Sequence, residues 1–266
     1  MKLIQSFLMP LLALLGASCF AVHAKETSLL DSPFYKKGAA LRDAGAYQKA
    51  FDAWYPFAEY LDEAPIQLAL ADLLLRPKAK PLRSPVRRDV LATRLILRAA
   101  LKADPSALQL VAGASRAGTH GFSPDAASSD CWKAVASGLH DPFECLAVTS
   151  LRRVEAMPTC ANMVAIKTRN SFAVDGDAVA QMCIRHGRYA LMIPGLLPEY
   201  VIRANESTYA KYGIEQILTG DAPAQGEIEF QQSFNAAMEQ TLIQMHGGGI
   251  SKQIDDEIQL KLDRRK

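Results

Sequence analysis

Few residues of this chain are of a type that does chemistry, and they are scattered. Beyond the first 24 positions histidine occurs at His120, His140, His186 and His246, each near an expected turn or helix end and far from the others in sequence. A catalytic imidazole needs a nucleophile to deprotonate and a carboxylate to orient it. No G-x-S-x-G elbow, H-E-x-x-H pair, P-loop or G-x-G-x-x-G turn supplies that setting. His186 precedes Gly187 and fits a helix C-terminus, where its ring favours the dipole. Asp175 and Asp177 resemble the start of a cation loop, but the later ligands are missing, and the acids at 255–257 read as a solvated helix face. Asn205-Glu206-Ser207 matches a glycosylation triplet, which has meaning only in a eukaryotic host and otherwise reads as chance. No catalytic, cofactor-binding or metal-binding residue is therefore expected, and no cofactor.

The cysteines carry more information. Lys2 followed by the apolar run Leu3 to Phe20 and by Val22-His23-Ala24 has the form of a cleavable leader over 1–24. Pro10 and Gly16 argue against a membrane anchor, and Gly16 stands where a lipid-attachment box ahead of Cys19 wants Leu. Export exposes the remaining Cys131, Cys145, Cys160 and Cys183 to oxidising surroundings, so two disulfides are expected, with three pairings open in principle. Cys160 and Cys183 fall on consecutive expected helices and would pair across that hairpin, leaving Cys131 to Cys145. Zinc is the competing reading, but no C-x-x-C or H-x-x-x-H spacing supports it.

The 266-residue chain has a formal net charge of +2 with acids and bases interspersed. Nothing there calls for nucleic acid or an acidic membrane as partner. After the leader no stretch is long and apolar enough to span a bilayer.

Helical periodicity positions nearly everything else. Tyr47, Ala50, Phe51, Trp54, Ala58 and Leu61 recur at spacings of three and four, which makes one stripe of a helix. Glu63 to Leu75 follows at once with Ile66, Leu70, Leu73 and Leu74 on its own stripe, so the two helices lie antiparallel. Pro56 interrupts the first helix and is expected to bend it, with Trp54 and Phe57 filling the space opened. Aligning residues 63–71, 105–113 and 142–150 puts Ala71, Gly113 and Ser150 in one column. Ala58, Ala100 and Ser137 form a second column ahead of turns containing Asp62, Asp104 and Asp141. Small residues there would let helix backbones approach closely.

Residues 38–75 resemble the Sel-one-like repeat, a relative of the tetratricopeptide repeat. Gly45, Tyr47, Ala50, Trp54, Pro56, Ala58, Glu63, Ala64, Gln67 and Leu70 occupy the positions of its motif. Asp62 stands where that family has a turn Gly, Ala71 replaces its packing Gly, and the units at 86–119 and 125–152 match less of the pattern. The resemblance implies an all-α, right-handed α/α solenoid of about three degenerate repeats over 25–152. Helical extensions over 153–221, carrying Cys160 and Cys183, and 222–266 would follow.

In the extensions, Pro158 to Asn170 and Asp177 to His186 read as helices, the second with Val179, Met182 and Cys183 inward. A further helix starts near Pro198, presents Tyr200, Val201, Ala204, Tyr209, Tyr212 and Ile217, and stops at Gly220. Phe230, Phe234, Ala237, Met238, Leu242 and Met245 share one face of the next, which the glycines at 247–249 end. Ile250, Ile254, Ile258 and Leu262 stripe a last charged helix, expected to dock as a cap on the final hairpin, the other reading being that it awaits a partner groove.

The family resemblance implies an exported, periplasmic or secreted scaffold that binds a protein partner, such as an envelope complex, and names no substrate. Lys49, Asp52, Tyr55 and Arg94, on the faces of the first helix of each pair, are the expected partner contacts. The other reading, an envelope hydrolase on a cysteine-rich repeat framework, needs a nucleophile beside a base that the sequence does not present.

Overall fold

A computed structural model describes residues 32–60, 62–79, 82–169, 174–193, 195, 197–220 and 223–264. The expected leader with Cys19, and Leu61 of the first stripe, lie outside them. The described chain is all-α in class: twelve α-helices and two five-residue strands.

The array begins with α1 (Pro33–Asp43), α2 (Tyr47–Tyr60) and α3 (Ala64–Leu75). Ser32 caps α1 by accepting a hydrogen bond from Tyr35 N, and Pro33 occupies a first-turn position that needs no N–H. Ala50, Phe51, Trp54 and Ala58 of the α2 stripe are buried. Trp54 is the anchor. Its Nε1 donates to Tyr35 O at 3.3 Å, and Gly38 of α1 lies so close that a Cβ there would fall 2.1 Å from the indole nitrogen. α2 continues through Pro56, whose ring is exposed, while Phe57 meets Phe34 of α1 at 4.3 Å between centroids.

α4 (Arg88–Leu101) and α5 (Pro105–Ala117) form the next pair, and α6 (Ala126–Ala136) and the short α7 (Pro142–Ala147) the third. Asp104, Asp125 and Asp141 each cap a helix N-terminus through a side-chain oxygen, at Ala107 N, Ser128 N and Phe143 N respectively. Neighbouring helices pack successively from α1 to α7, in the manner of a helical solenoid. α3 and α4 are buried on most of their circumference, and one continuous core runs from Ala50 through Trp132 to Met238.

The small-residue columns need correction. Ala71, Ala58 and Ala100 are buried, but Gly113, Ser150 and Ser137 are exposed. α5 meets its neighbours through Leu108, Val111, Ala112, Ala114 and Ser115, which turns Gly113 outward with no atom near a Cβ built on it. α7 ends at Ala147, so Ser150 belongs to no helix. It lies instead in a short antiparallel pairing, where Ser123 N donates to Ser150 O and Phe122 bridges Leu151. In the third pair neither column residue is buried, and in the second only Ala100 is.

α8 (Cys160–Thr168) and α9 (Gly176–Arg185) form a hairpin with Val179, Met182 and Cys183 buried as the periodicity predicts. Thr159 and Asn162 make a reciprocal capping box at the start of α8. The disulfides are Cys131–Cys145, joining α6 to α7, and Cys160–Cys183, joining α8 to α9, with Cα–Cα distances of 5.5 and 5.4 Å.

The segment after α9 departs from the all-helical expectation. Tyr189–Ile193 is a strand, β1, and Ile214–Leu218 a second, β2, paired in parallel across α10 (Glu199–Tyr209). Gly213, at φ +69°, ends the helical stretch that Gly220 was expected to end, and Ile217 sits on a strand and not on the α10 stripe. A five-residue apolar run is too short for its period to declare itself. α11 (Gln225–His246) buries Phe230, Phe234, Ala237, Met238 and Leu242 but leaves Met245 half exposed. α12 (Ile250–Asp263) docks on α10 and the end of α11, burying Ile250 and Ile254 with Ile258 and Leu262 at the margin. The stripe is therefore covered from within the chain, as the capping expectation has it.

Candidate functional site

A charged seam crosses the middle of the array. α4 and its C-cap carry Arg94, Arg98 and Lys102 at intervals of four, which lines them along one face of a helix whose other residues from Val90 onward are apolar apart from Thr93. Arg98 is 2 % exposed in its side chain and saturated: its Nη atoms donate to Glu59 Oε2 (2.9 Å), Glu59 O (3.0 Å) and Asp62 Oδ1 (2.8 Å), and its Nε reaches Asp62 at 3.2 Å. Lys102, 8 % exposed, donates to Gln67 Oε1 at 2.7 Å and to Asp62 O, with Asp62 Oδ1 at 3.1 Å. Gln67 is fully buried and closes the network by donating to Asp62 Oδ1 (2.7 Å) and Ala58 O (3.0 Å).

This network explains Asp62. Its φ of +56° is a left-handed conformation that suits Gly and costs other residues about 1 kcal/mol or more. A Gly would relax the backbone but remove the carboxylate that Arg98, Lys102 and Gln67 all address, leaving two buried cations short of a counter-charge. Truncating one member of such a set costs about 3–5 kcal/mol, which outweighs the strain. Burial is the main influence on Lys102 and pushes its pKa down to about 8, against the attraction of Asp62.

At its other end the seam opens. Arg94 is half-buried; its Nη2 donates to Glu155 O at 2.6 Å, where residues 153–157 fold back onto α4. Burial lowers its pKa, Glu59 opposes that, and Arg188 and Arg98 add to it. Arg188 donates to Met157 O (3.0 Å) and lies 3.8 Å from Glu215 of β2. Glu215 accepts from Cys160 N at 2.9 Å and Ala161 N at 3.4 Å, capping α8 from another element, yet burial raises its pKa overall. Two guanidinium groups thus share one carboxylate that is already engaged. Such an arrangement can receive an anionic group; it holds no nucleophile beside a base.

Of the four expected partner contacts, only Arg94 belongs to this seam. Lys49 and Asp52 are exposed on the outer side of α2, where Asp52 accepts from Gln48 at 2.8 Å. Tyr55 is half-buried and stacks on Phe51 at 5.1 Å. The histidines are dispersed: His120 lies beside Thr119, His140 beside Glu144, and His246 against the edge of Tyr212. His186 is the C-cap of α9, as its sequence position suggested, and burial first, then Arg185 and Arg188, lower its pKa. Among the described residues no three His, Cys, Asp or Glu side chains gather as a metal site, and no helix is long and apolar enough to cross a membrane.

Sequence reasoning missed Glu59, Asp62, Arg98, Lys102, Arg188 and Glu215 as a group. The available signal was the four-residue spacing of three cations over residues 90–102, a stretch otherwise apolar except for Thr93. No family model, curated protein or solved structure matches the chain.

Proposed function

We propose that this chain is an exported helical-repeat scaffold that holds a protein partner in the cell envelope. The observation that carries the reading is the seam: a stack of helix pairs locked at Arg98 and Lys102 that leaves Arg94 and Arg188 at its open end, with more positive charge than Glu215 neutralises. A rigid stack with polar groups at a fixed spacing suits recognition of another chain better than turnover of a small molecule. The motif match at residues 38–75 favours the same class, a Sel-one-like relative of the tetratricopeptide repeat.

The two disulfides point to an oxidising, extracytoplasmic compartment. Periplasmic or secreted residence, with the leader removed after Ala24, is the finer reading. Intact mass before and after reduction tests it, the expected result being a chain beginning at Lys25 that gains four hydrogen atoms on reduction. For the scaffold itself, the disulfide-intact chain is used to capture partners from envelope extract at physiological salt. A stoichiometric partner lost on Arg94→Glu is expected; recovery of none from wild type would overturn the reading.

A further inference from the structure

The two edges of the small parallel sheet are treated differently. Tyr189 lies opposite Ile214 and Ile193 opposite Leu218, and Thr219 N donates to Ile193 O at 3.0 Å. In a parallel ladder that bond sets the parity: Glu215 and Ile217 turn their N–H and C=O toward β1, while Gln216 and Leu218 turn theirs away. The same parity sends the main-chain groups of Met192 outward from β1, and α11 meets them. Met192 N donates to Asn235 Oδ1 at 2.9 Å, and Met192 O accepts from Asn235 Nδ2 at 2.8 Å and Gln231 Nε2 at 3.1 Å. Two amide side chains thereby stand in for a third strand.

β2 has no such closure. Among the described residues nothing bonds the main-chain N–H or C=O of Gln216 or Leu218. Gln216 is half-buried although both polar atoms of its side chain are inaccessible, so its exposed surface belongs to its backbone and aliphatic stem. Leu218 is 46 % exposed. An unpaired edge of this kind is a template for an added strand, and a chain that caps one edge with Asn235 and Gln231 has left the other without a cap or a lysine to block it.

Charge selects what fits. A strand laid along β2 places alternate side chains on the face that carries Glu215. On that side Arg188 and Arg94 stand near Glu215, whose carboxylate is already engaged by Cys160 N and Ala161 N. We propose that the free edge of β2 accepts an extended segment of the partner protein, with a carboxylate on the Glu215 face to supply the missing negative charge beside Arg188 and Arg94. The inference rests on the scaffold reading and specifies how the partner is held.

The probe is a fluorescein-labelled nine-residue peptide of alternating valine and threonine with a central glutamate, titrated by anisotropy against the full disulfide-intact chain. Saturable binding is expected, about ten-fold weaker for the central-lysine analogue and weakening with salt. Leu218→Pro, whose N–H faces away from β1, should abolish binding while far-UV circular dichroism is kept. An analogue N-methylated on alternate amides gives the same test without altering the protein, and should not bind. Equal binding of the glutamate and lysine peptides, undiminished binding of the N-methylated one, or a concentration-dependent dimer that Leu218→Pro dissolves would each overturn the proposal, the last in favour of a second copy. Recovery of the same envelope partner by wild type and Leu218→Pro would overturn the edge alone and leave the scaffold reading standing.

Discussion

Lys102 gives the sharpest test of the buried seam. Its folded pKa of about 8 lies below the ordinary 10.5, so the folded chain binds that proton less tightly than the unfolded chain does. The gap corresponds to about 3 kcal/mol against the folded state when the lysine is charged. The sign follows from proton counting: between pH 8 and 10.5 the unfolded state holds more protons, so stability rises with pH across that window. At pH 7 nearly the whole penalty applies, and by pH 10 most of it is gone, a gain of about 2–3 kcal/mol. Tyr209 and Tyr212 also titrate in alkali, with pKa values raised by burial and by the hydrogen bond to Glu257 respectively. Comparison with Lys102→Met cancels them, because methionine fills similar volume and keeps Arg98 on Asp62. Urea unfolding of both proteins at pH 7 and pH 10 is the assay. The wild type should gain about 2–3 kcal/mol relative to the variant over that interval. A difference that stays within about 0.5 kcal/mol would mean that Lys102 is not desolvated and that the seam is not the closed network described.

Gly38→Ala drives a methyl group into the Trp54 indole and should cost about 1–3 kcal/mol in urea unfolding, whereas Gly113→Ala, which meets nothing, should be neutral or slightly stabilising. Trp54→Ala should cost about 3–5 kcal/mol by the same measurement. Replacing either disulfide pair by serine should cost about 3 kcal/mol, from the loop-closure entropy of separations of 14 and 23 residues. His186 should titrate below 6.5 in an NMR pH series; because its folded pKa is depressed, its contribution holds above pH 6.5 and is lost as pH falls.

The first two helix pairs were legible because the stripes of α2 to α5 repeat over three turns or more, long enough for a 3.6-residue period to separate from a period of two. The cysteine pairing followed from the same reading, since Cys160 and Cys183 sit on adjoining helices of one hairpin. The strands were not legible: Tyr189–Ile193 and Ile214–Leu218 are too short, and their pairing depends on α10 bringing distant segments together. The small-residue columns misled for a different reason. Gly and Ser are tolerated wherever nothing presses on them, so Gly113 and Ser150 resemble contact positions in sequence while facing solvent. Arg98 and Lys102 were hidden because a charged side chain is ordinarily assigned to the surface, and only a third partner, Asp62 in a left-handed turn, makes their burial affordable. Arg94 was singled out from its place on the first helix of its pair, but Arg188 and Glu215 reach it from elements whose arrangement no local pattern encodes.

The placement of the two cross-links has a mechanical consequence. Both lie between Cys131 and Cys183, and among the described residues α1 to α5 have no covalent tie beyond the backbone. Under tension from its ends the chain would therefore peel from both sides, through α1 to α5 and through α12 back to α10, each freed turn adding contour length. Only the loops closed by sulfur, Cys131 to Cys145 and Cys160 to Cys183, would stay shut against further pulling.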